Sequence, residues 1–329
     1  MVRVAFEEIV GQEKVARMLK NALRRRRLAH AYIFSGTDSD GKRKMAIELA
    51  KALNCSTYSD DACDNCTNCM RIANGNHPDV HWIAPDGTSV KIKQIRTLQK
   101  NIAYHSVEAM TKVFVIEAVE TMTIQAANSL LKILEEPEGT ALIILLTDNV
   151  QAIIPTIKSR CQLIPFQHPD PEIVCEQLIE EGVSREVAVI ASRMANGLQE
   201  AREMCGETWF TSAPPLVVEL TNATCDDSNK ALIVVHEQLL KSETVRTHME
   251  LFLDLMILWY QDMLTMKLGC RQPLTFLEHQ NDMKQQVIKW TESGIIRAVE
   301  KLLIAKQQLR QHVPPQLVLE GWVLSVQEG

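Results

Sequence analysis

The sequence has no apolar segment that approaches the roughly 18 residues of a membrane-spanning helix, which argues against an integral membrane protein. Glycine and proline are scarce, with 13 and 12 residues among 329, so collagen-like and low-complexity classes are excluded. The N-terminal MVRVAFEEIV lacks the apolar stretch of a secretory signal, and we therefore expect a cytoplasmic protein. Hydrophobic residues make up 46% of the chain, enough to bury a substantial core.

Neither sign of charge dominates the chain, whose net charge is −6, but the charge is unevenly distributed. Residues 1–166 carry 21 Lys and Arg against 18 Asp and Glu, whereas the remaining residues carry 14 against 23. An acidic C-terminal half is unfavourable for binding nucleic acid, because phosphates are also negative, and it suits protein partners better. The basic run from Arg24 to Arg27 is typical of a solvated helix end, and a contact with DNA phosphate is the alternative.

Short apolar runs alternate with amphipathic segments in the first half, which predicts a parallel sheet covered by helices on both faces. The predicted strands span 31–35, 79–84, 112–116, 141–146 and 162–166, and the main helices span 42–53, 93–103 and 124–135. Beyond residue 166 the pattern is helical, with short helices over 171–205 and longer ones over 216–329. We expect a break in helical structure over 206–215, because this stretch ends in Pro214-Pro215.

The predicted architecture is an α/β region followed by an all-α region. We expect three domains: a P-loop domain over 1–166 with a cysteine module at 55–69, a small helical domain over 167–208, and a helical bundle over 209–329.

The segment GTDSDGK connects the first predicted strand to the following helix, where a P-loop belongs. In G-x-x-x-x-G-K-[ST], backbone amides and the lysine cradle phosphates, which assigns these roles to Gly36, Gly41 and Lys42. The position of the Mg²⁺-binding Ser or Thr holds Arg43, which cannot coordinate a cation. The pattern indicates a P-loop that has lost competent nucleotide binding. Weak binding without hydrolysis and an unrelated glycine-containing loop are the alternatives.

The end of the third predicted strand is the second candidate site. P-loop ATPases place an acidic Mg²⁺ ligand here, often followed by a glutamate that activates water. Glu117 can stand in for the first, whereas Ala118 has no proton-accepting group. Hydrolysis by this chain is therefore not expected. The alternative for Glu117 is a residue that simply flanks a buried strand.

Four cysteines, Cys55, Cys63, Cys66 and Cys69, follow the helix after the glycine loop. Four thiolates at this spacing can converge on one tetrahedral Zn²⁺, with no position left open for catalysis. The sequence thus predicts a structural zinc site, and an iron–sulfur cluster is the alternative.

Ser159-Arg160-Cys161 follows the fourth predicted strand and a short helix. A guanidinium at a domain edge can stabilise a transferring phosphoryl group across a subunit boundary. From the residues alone, a solvated surface arginine is the favoured interpretation.

Taken together, these motifs resemble the delta-prime family of bacterial DNA polymerase III clamp-loader subunits, which are AAA+ proteins. Besides the four-cysteine module, the matching segments are FEEIVGQEKV (6–15), LAHAYIFSG (28–36), NHPDVHWI (76–83), VKIKQIRTL (90–98), AANSLLKILEEP (126–137), IIPTIKSRCQ (153–162) and PPQLVLEGWVL (314–324).

The resemblance implies an AAA+ module, a helical lid and a helical collar that oligomerises. It implies a stator subunit, not an enzyme by itself, within the DNA polymerase III holoenzyme. Arg160, with Ser159 and Cys161, would be an arginine finger acting in trans on a gamma/tau ATPase subunit. The other implied partners are the delta subunit and, through the complex, the sliding clamp and primer-template DNA. Zn²⁺ would bind all four cysteines, while ATP binding by this chain is disfavoured.

Two other functions compete with this one. The first is a self-sufficient ATPase of the gamma/tau type, the motor subunit of the same family, which shares the cysteine module and the Ser-Arg-Cys motif. It would need Ser or Thr at position 43 and an acid at position 118, and both are missing. The arginine expected in the lid after Gly197 also looks lost, since Arg202 is out of phase. A nucleic-acid-binding zinc protein would rely on Arg24 to Arg27 and the zinc loop, and the acidic second half argues against it.

Overall fold

The computed structural model describes Phe6 and residues 9–58, 60–103, 111–136, 141–270 and 273–327. Glu7, Glu8 and Pro137, which belong to the segments that carry the resemblance, lie outside these described residues. The chain forms two compact units that divide between Ile173 and Val174. Within the part that the structure describes, no helix combines the length and apolarity needed to cross a bilayer.

A five-stranded sheet forms the centre of the first unit, with strand order β2-β3-β4-β1-β5 and parallel pairing throughout. The α/β prediction for this half is confirmed, and all five strands begin and end within one residue of their expected bounds. The strands are β1 (Ala31–Ser35), β2 (Val80–Ile83), β3 (Lys112–Ile116), β4 (Ala141–Thr147) and β5 (Gln162–Pro165).

Apolar side chains alternate between the two faces of the sheet, as the twofold period of a strand requires. In β3, Val113 and Val115 pack on one face, while Phe114 and Ile116 pack on the other. Both faces are covered because helices pack against each of them, which explains why these strands are apolar at every position. The helices of this unit are α1 (Glu13–Arg24), α2 (Ser39–Asn54), α3 (Thr67–Ala73), α4 (Ile92–Ala103), α5 (Ile124–Glu135) and α6 (Pro155–Lys158).

The strand order places β1 beside β4 and β4 beside β3. Because parallel strands end at the same edge of a sheet, the segments that follow these three strands come together there. This edge therefore gathers the glycine loop after β1, Glu117 after β3 and Asp148 after β4.

The second half is helical, as predicted. One of its long helices is α13, whose aromatic residues Trp259 and Tyr260 are fully buried. The helices of this half are α7 (Pro171–Glu180), α8 (Arg185–Met194), α9 (Leu198–Gly206), α10 (Thr208–Asp226), α11 (Ser228–Val234), α12 (Glu243–Thr247), α13 (Met249–Lys267), α14 (Gln280–Lys289), α15 (Glu292–Arg310) and α16 (Pro315–Gln327).

The predicted break over 206–215 is wrong, because α10 runs through Pro214 and Pro215 without interruption. Each proline removes one backbone hydrogen bond. The helix nevertheless buries Trp209, Phe210 and Val217 on either side of the prolines, and this packing outweighs the local preference. The division of the C-terminal half into two domains at residue 208 stays a prediction.

Candidate functional site

The glycine loop is tied to the sheet at its first residue. The backbone amide of Gly36 donates to the carbonyl oxygen of Thr147 in β4 at 3.1 Å. Gly36 has φ +138°, and a Cβ atom there would lie 2.0 Å from the carbonyl oxygen of Phe166. Only glycine fits this conformation and this close approach, so the P-loop-like path of the backbone depends on it.

Asp38 fills the loop with its own negative charge. The side chain is buried and accepts hydrogen bonds from the backbone amide of Gly41 at 2.9 Å and from Nε2 of Gln12 at 2.8 Å. Burial raises the pKa of this carboxyl, an effect that these two hydrogen bonds partly offset. The amide of Gly41, which a P-loop would offer to phosphate, is thus already satisfied by a carboxylate.

Lys42 is directed into the molecule. Its side chain is only 2% exposed, and Nζ donates to the carbonyl oxygen of Thr147 at 2.8 Å. The same atom also contacts the carbonyl oxygen of Gly36 and forms an ion pair with Asp148. The cation that would bind phosphates in a P-loop is therefore neutralised within the chain.

Arg43 occupies the side of the site where a P-loop ATPase holds Mg²⁺. Its guanidinium lies 2.8 Å from Oε1 of Glu117 and stacks over the ring of Trp82, with 5.4 Å between Cζ and the ring centroid. Nε1 of Trp82 donates to the same carboxylate oxygen at 2.7 Å. Glu117 thus has an arginine and an indole as partners, and both compete with a metal ion for its oxygens.

Ala118 follows Glu117 in the left-handed region, with φ 47° and ψ 50°. This conformation is strained for a residue with a Cβ atom. The Ala118 side chain carries no group that could activate water, so the chemistry of hydrolysis has no base at this position.

The glycine loop, Lys42 and Glu117 do converge at one edge of the sheet, as the predicted site requires. However, each charge that would meet nucleotide or metal is paired within the chain.

Arg160 lies directly after α6, at a distance in sequence from that site. Its Nη1 donates to the carbonyl oxygen of Thr156 at 3.0 Å and to Oγ of Ser159 at 3.2 Å, and its Nη2 lies 2.6 Å from Oε1 of Glu135. The side chain is 35% exposed, so part of the guanidinium is accessible to a partner. Cys161 instead packs against the sheet, and burial raises the pKa of its thiol to about 12.

The four predicted metal ligands lie together. Cys55 directly follows α2, Cys63 lies in the connecting loop, and Cys66 and Cys69 lie at the start of α3. All four sulfur atoms lie within 4.8 Å of one another. A tetrahedral zinc ion with Zn–S bonds of about 2.3 Å places its sulfur ligands roughly 3.8 Å apart, so this cluster fits the ion.

Backbone amides surround these sulfurs and favour their negative charge. Burial alone would raise the pKa of the Cys66 thiol, but hydrogen bonds from Ser56 and from the Cys69 amide lower it to about 6. The amide nitrogens of Thr57 and Tyr58 lie 3.4 Å from Sγ of Cys55, that of Cys66 lies 3.3 Å from Sγ of Cys63, and that of Cys69 lies 3.4 Å from Sγ of Cys66.

Acidic residues of the cysteine loop attach it to α1. Lys20 pairs with Asp61 at 2.8 Å, and Arg24 pairs with Asp60 at 2.6 Å. Arg24, the first residue of the basic run, is thus used inside the molecule. This contact argues against the interpretation of that basic run as a nucleic-acid-binding site.

A cationic stripe on α4, formed by Lys93, Arg96 and Lys100, was not among the features predicted from the sequence. The three side chains are exposed, and none of them forms a salt bridge among the described residues. Lys93 is near enough to Asp86 to interact electrostatically with its carboxylate. The spacing of the stripe residues, three and four positions, places them on one face of the helix, a signal that was readable from sequence.

The family model described as "DNA polymerase III, delta subunit" matches residues 11–170, and the model for its C-terminal region matches residues 226–328. The DNA polymerase III subunit delta' of Bacillus subtilis is 35% identical over 318 residues, which cover 97% of both chains. The chain belongs to the delta-prime family of DNA polymerase III subunits. This result confirms the family that the motifs indicated.

Two tau subunits of DNA polymerase III match a shorter region. The Bacillus subtilis protein is 34% identical over 65% of this chain and 39% of its own length. The Escherichia coli protein is 38% identical over 53% of this chain and 27% of its own length. The family assignment rests on the delta-prime relative because its similarity spans both units.

Proposed function

We propose that this chain is the non-hydrolysing stator of a bacterial DNA polymerase III clamp loader, acting in the cytoplasm. One observation carries the proposal: the charges of its own nucleotide site are paired internally, while an arginine elsewhere remains partly exposed. The internally paired residues are Asp38, Lys42 and Arg43, and the partly exposed arginine is Arg160.

ATP binding by this chain is disfavoured on electrostatic grounds. Phosphates would need Lys42 to leave Asp148 and would approach the buried carboxylate of Asp38. Mg²⁺ would need to displace the guanidinium of Arg43 from Glu117. Each exchange costs free energy that nucleotide binding would have to supply. The alternative, a self-sufficient ATPase of the gamma/tau type, requires all these exchanges and a base that Ala118 lacks.

Arg160 is the residue through which the chain would contribute to hydrolysis. In this proposal the neighbouring gamma/tau subunit holds Mg·ATP, and Arg160 supplies positive charge to the transferring phosphoryl group. Reconstitution tests the proposal: loaders assembled with the chain should load the clamp on primed DNA, and the isolated chain should not turn over ATP. A normal turnover rate for the isolated chain would refute it.

The collar contacts of the loader are proposed to include an apolar surface on α15 and α16. We define this collar stripe by Ile296, Leu303 and Ile304 of α15 and Leu317 and Leu324 of α16, all of which are exposed. Five exposed large apolar residues on two neighbouring helices are typical of an interaction surface.

The substitution Leu303→Glu should weaken assembly with gamma/tau and delta at least about tenfold, since a charge would be buried without a partner. Analytical size exclusion of the mixed subunits measures this effect. Gln308→Glu, which adds the same charge to an exposed position beside the stripe, is the control and should assemble normally. Equal assembly of the two variants would exclude this surface.

The cationic stripe on α4 is proposed to contact DNA phosphates within the complex. Replacing Lys93 and Arg96 by alanine should weaken binding of primer-template DNA and lower the slope of log affinity against log salt by about two. Lys14→Ala with Arg17→Ala is a matched control, because these residues have the same types and spacing on exposed positions of α1. Similar slopes for both double variants would contradict a contact between this stripe and DNA.

Zn²⁺ is proposed as the ion that the four cysteines hold. Its role would be structural, because all four ligands come from the protein and no position remains for a reacting group.

A further inference from the structure

In the isolated chain, Arg160 is already paired with a carboxylate. Glu135 is the last residue of α5, and its Oε1 lies 2.6 Å from Nη2 of Arg160. The remaining contacts of the guanidinium, to the carbonyl oxygen of Thr156 and Oγ of Ser159, are both made by Nη1. The guanidinium thus contacts Glu135 through one terminal nitrogen and is held at the other by Thr156 of α6 and by Ser159.

Carboxylate and phosphate oxygens are alternative partners for a guanidinium, because both accept hydrogen bonds from the same planar fork. A phosphoryl group that approached Arg160 would meet the negative charge of Glu135 at close range and would be repelled by it. The two anions therefore compete for Arg160.

The solvent exposure of the two side chains determines how strongly Glu135 competes with a phosphate for Arg160. The side chain of Arg160 is 35% exposed and that of Glu135 is 49% exposed. Ion pairs at such positions shift an equilibrium by no more than about fivefold. A multiply charged phosphate can break the pair, yet the pair is strong enough to bias the conformation of the arginine.

We propose that Glu135 is a positioning residue that holds Arg160 back until a neighbouring subunit brings ATP against it. This inference rests on the proposed function, in which Arg160 acts in trans. Glu135 then suppresses turnover in the loader that has not yet closed on clamp and DNA, and it matters less once the subunit boundary has closed.

The test uses loaders reconstituted with the Glu135→Gln chain and with motor subunits whose own Ser-Arg-Cys arginine is replaced by alanine. ATP turnover without clamp and DNA should rise about two- to fivefold. With clamp and primed DNA the change should be smaller. Glu136→Gln removes the adjacent exposed carboxylate and is the matched control, for which no change is expected.

The same substitutions in an Arg160→Ala background separate the possible failures. If Arg160→Ala alone leaves turnover intact, the proposed function fails and this inference fails with it. If Arg160→Ala abolishes turnover but Glu135→Gln behaves like Glu136→Gln or lowers the rate, Arg160 keeps its role as an arginine finger. The proposed restraint of Arg160 by Glu135 is then refuted. An increase that persists without Arg160 would also refute it, since Glu135 would then act through another group.

Discussion

Replacing Arg160 by alanine is expected to lower the hydrolysis rate at the ATP site it serves by about 10³- to 10⁵-fold. The reason is electrostatic, because a guanidinium aimed at a transferring phosphoryl group stabilises charge that is most concentrated in the transition state. The two residues adjacent to it cannot replace it, because Ser159 is neutral and burial raises the pKa of the partly buried Cys161 thiol.

The rate must be measured at the ATP site that Arg160 serves, separately from the other ATP sites of the loader. Motor subunits in which the arginine of their own Ser-Arg-Cys motif is replaced by alanine would leave Arg160 as the remaining finger. Single-turnover hydrolysis in this loader should then depend on residue 160 alone. Arg160→Lys should recover only part of the rate, because an ammonium keeps the charge but lacks the planar fork.

Lys158→Ala is a suitable control, since this cation lies two residues away and forms no ion pair among the described residues. It should retain the full rate. Assembly of every variant should be checked by size exclusion, so that a lost subunit is not mistaken for a lost finger. An unchanged rate for Arg160→Ala in fully assembled loader would make residue 160 a surface arginine.

Removal of one cysteine ligand is the second change with a large expected effect. In Cys69→Ser, bound zinc should fall from one ion per chain to near zero, because Cys69 is one of the four proposed ligands and is fully buried. The loop between α2 and α3 would then lose the ion that we propose to hold it in place. The midpoint of thermal unfolding should fall by several degrees, since about 2–4 °C accompany each kcal/mol in domains of this size.

Metal analysis and thermal unfolding of the purified chain measure both effects. Cys270→Ser is the control, because this exposed cysteine lies outside the cluster and should change neither. Iron and visible absorbance in the wild-type chain would contradict zinc and favour the iron–sulfur alternative.

Much of the first unit could be predicted because its signals are local. β1, β3 and α5 begin and end where the apolar runs and the helical periodicity place them. The clustering of the four cysteines was also predictable, since their spacing is typical of residues that converge on one tetrahedral ion. Pro214 and Pro215 show the limit of this reasoning, because their cost is outweighed by packing that no local pattern reports.

The state of the nucleotide site could be predicted only in part. Arg43 and Ala118 marked it as degenerate from sequence alone. The pairing of Lys42 with Asp148 and of Arg43 with Glu117 joins residues 106 and 74 positions apart, respectively. Such pairs depend on the strand order, which brings the ends of β1, β3 and β4 together. Glu135 was overlooked as a partner of Arg160 for the same reason.

The charges of the nucleotide site, those of Lys42 and Arg43 above all, are paired within the chain. Titration of the isolated, zinc-loaded chain with Mg·ATP tests most directly whether this pairing prevents nucleotide binding. Trp82 lies within hydrogen-bond distance of Glu117 and stacks on Arg43, so its fluorescence can report binding, and calorimetry provides an independent signal. The expected result is no saturable binding up to millimolar Mg·ATP and no turnover. Micromolar binding accompanied by steady hydrolysis would contradict it and would identify the chain as an ATPase in its own right.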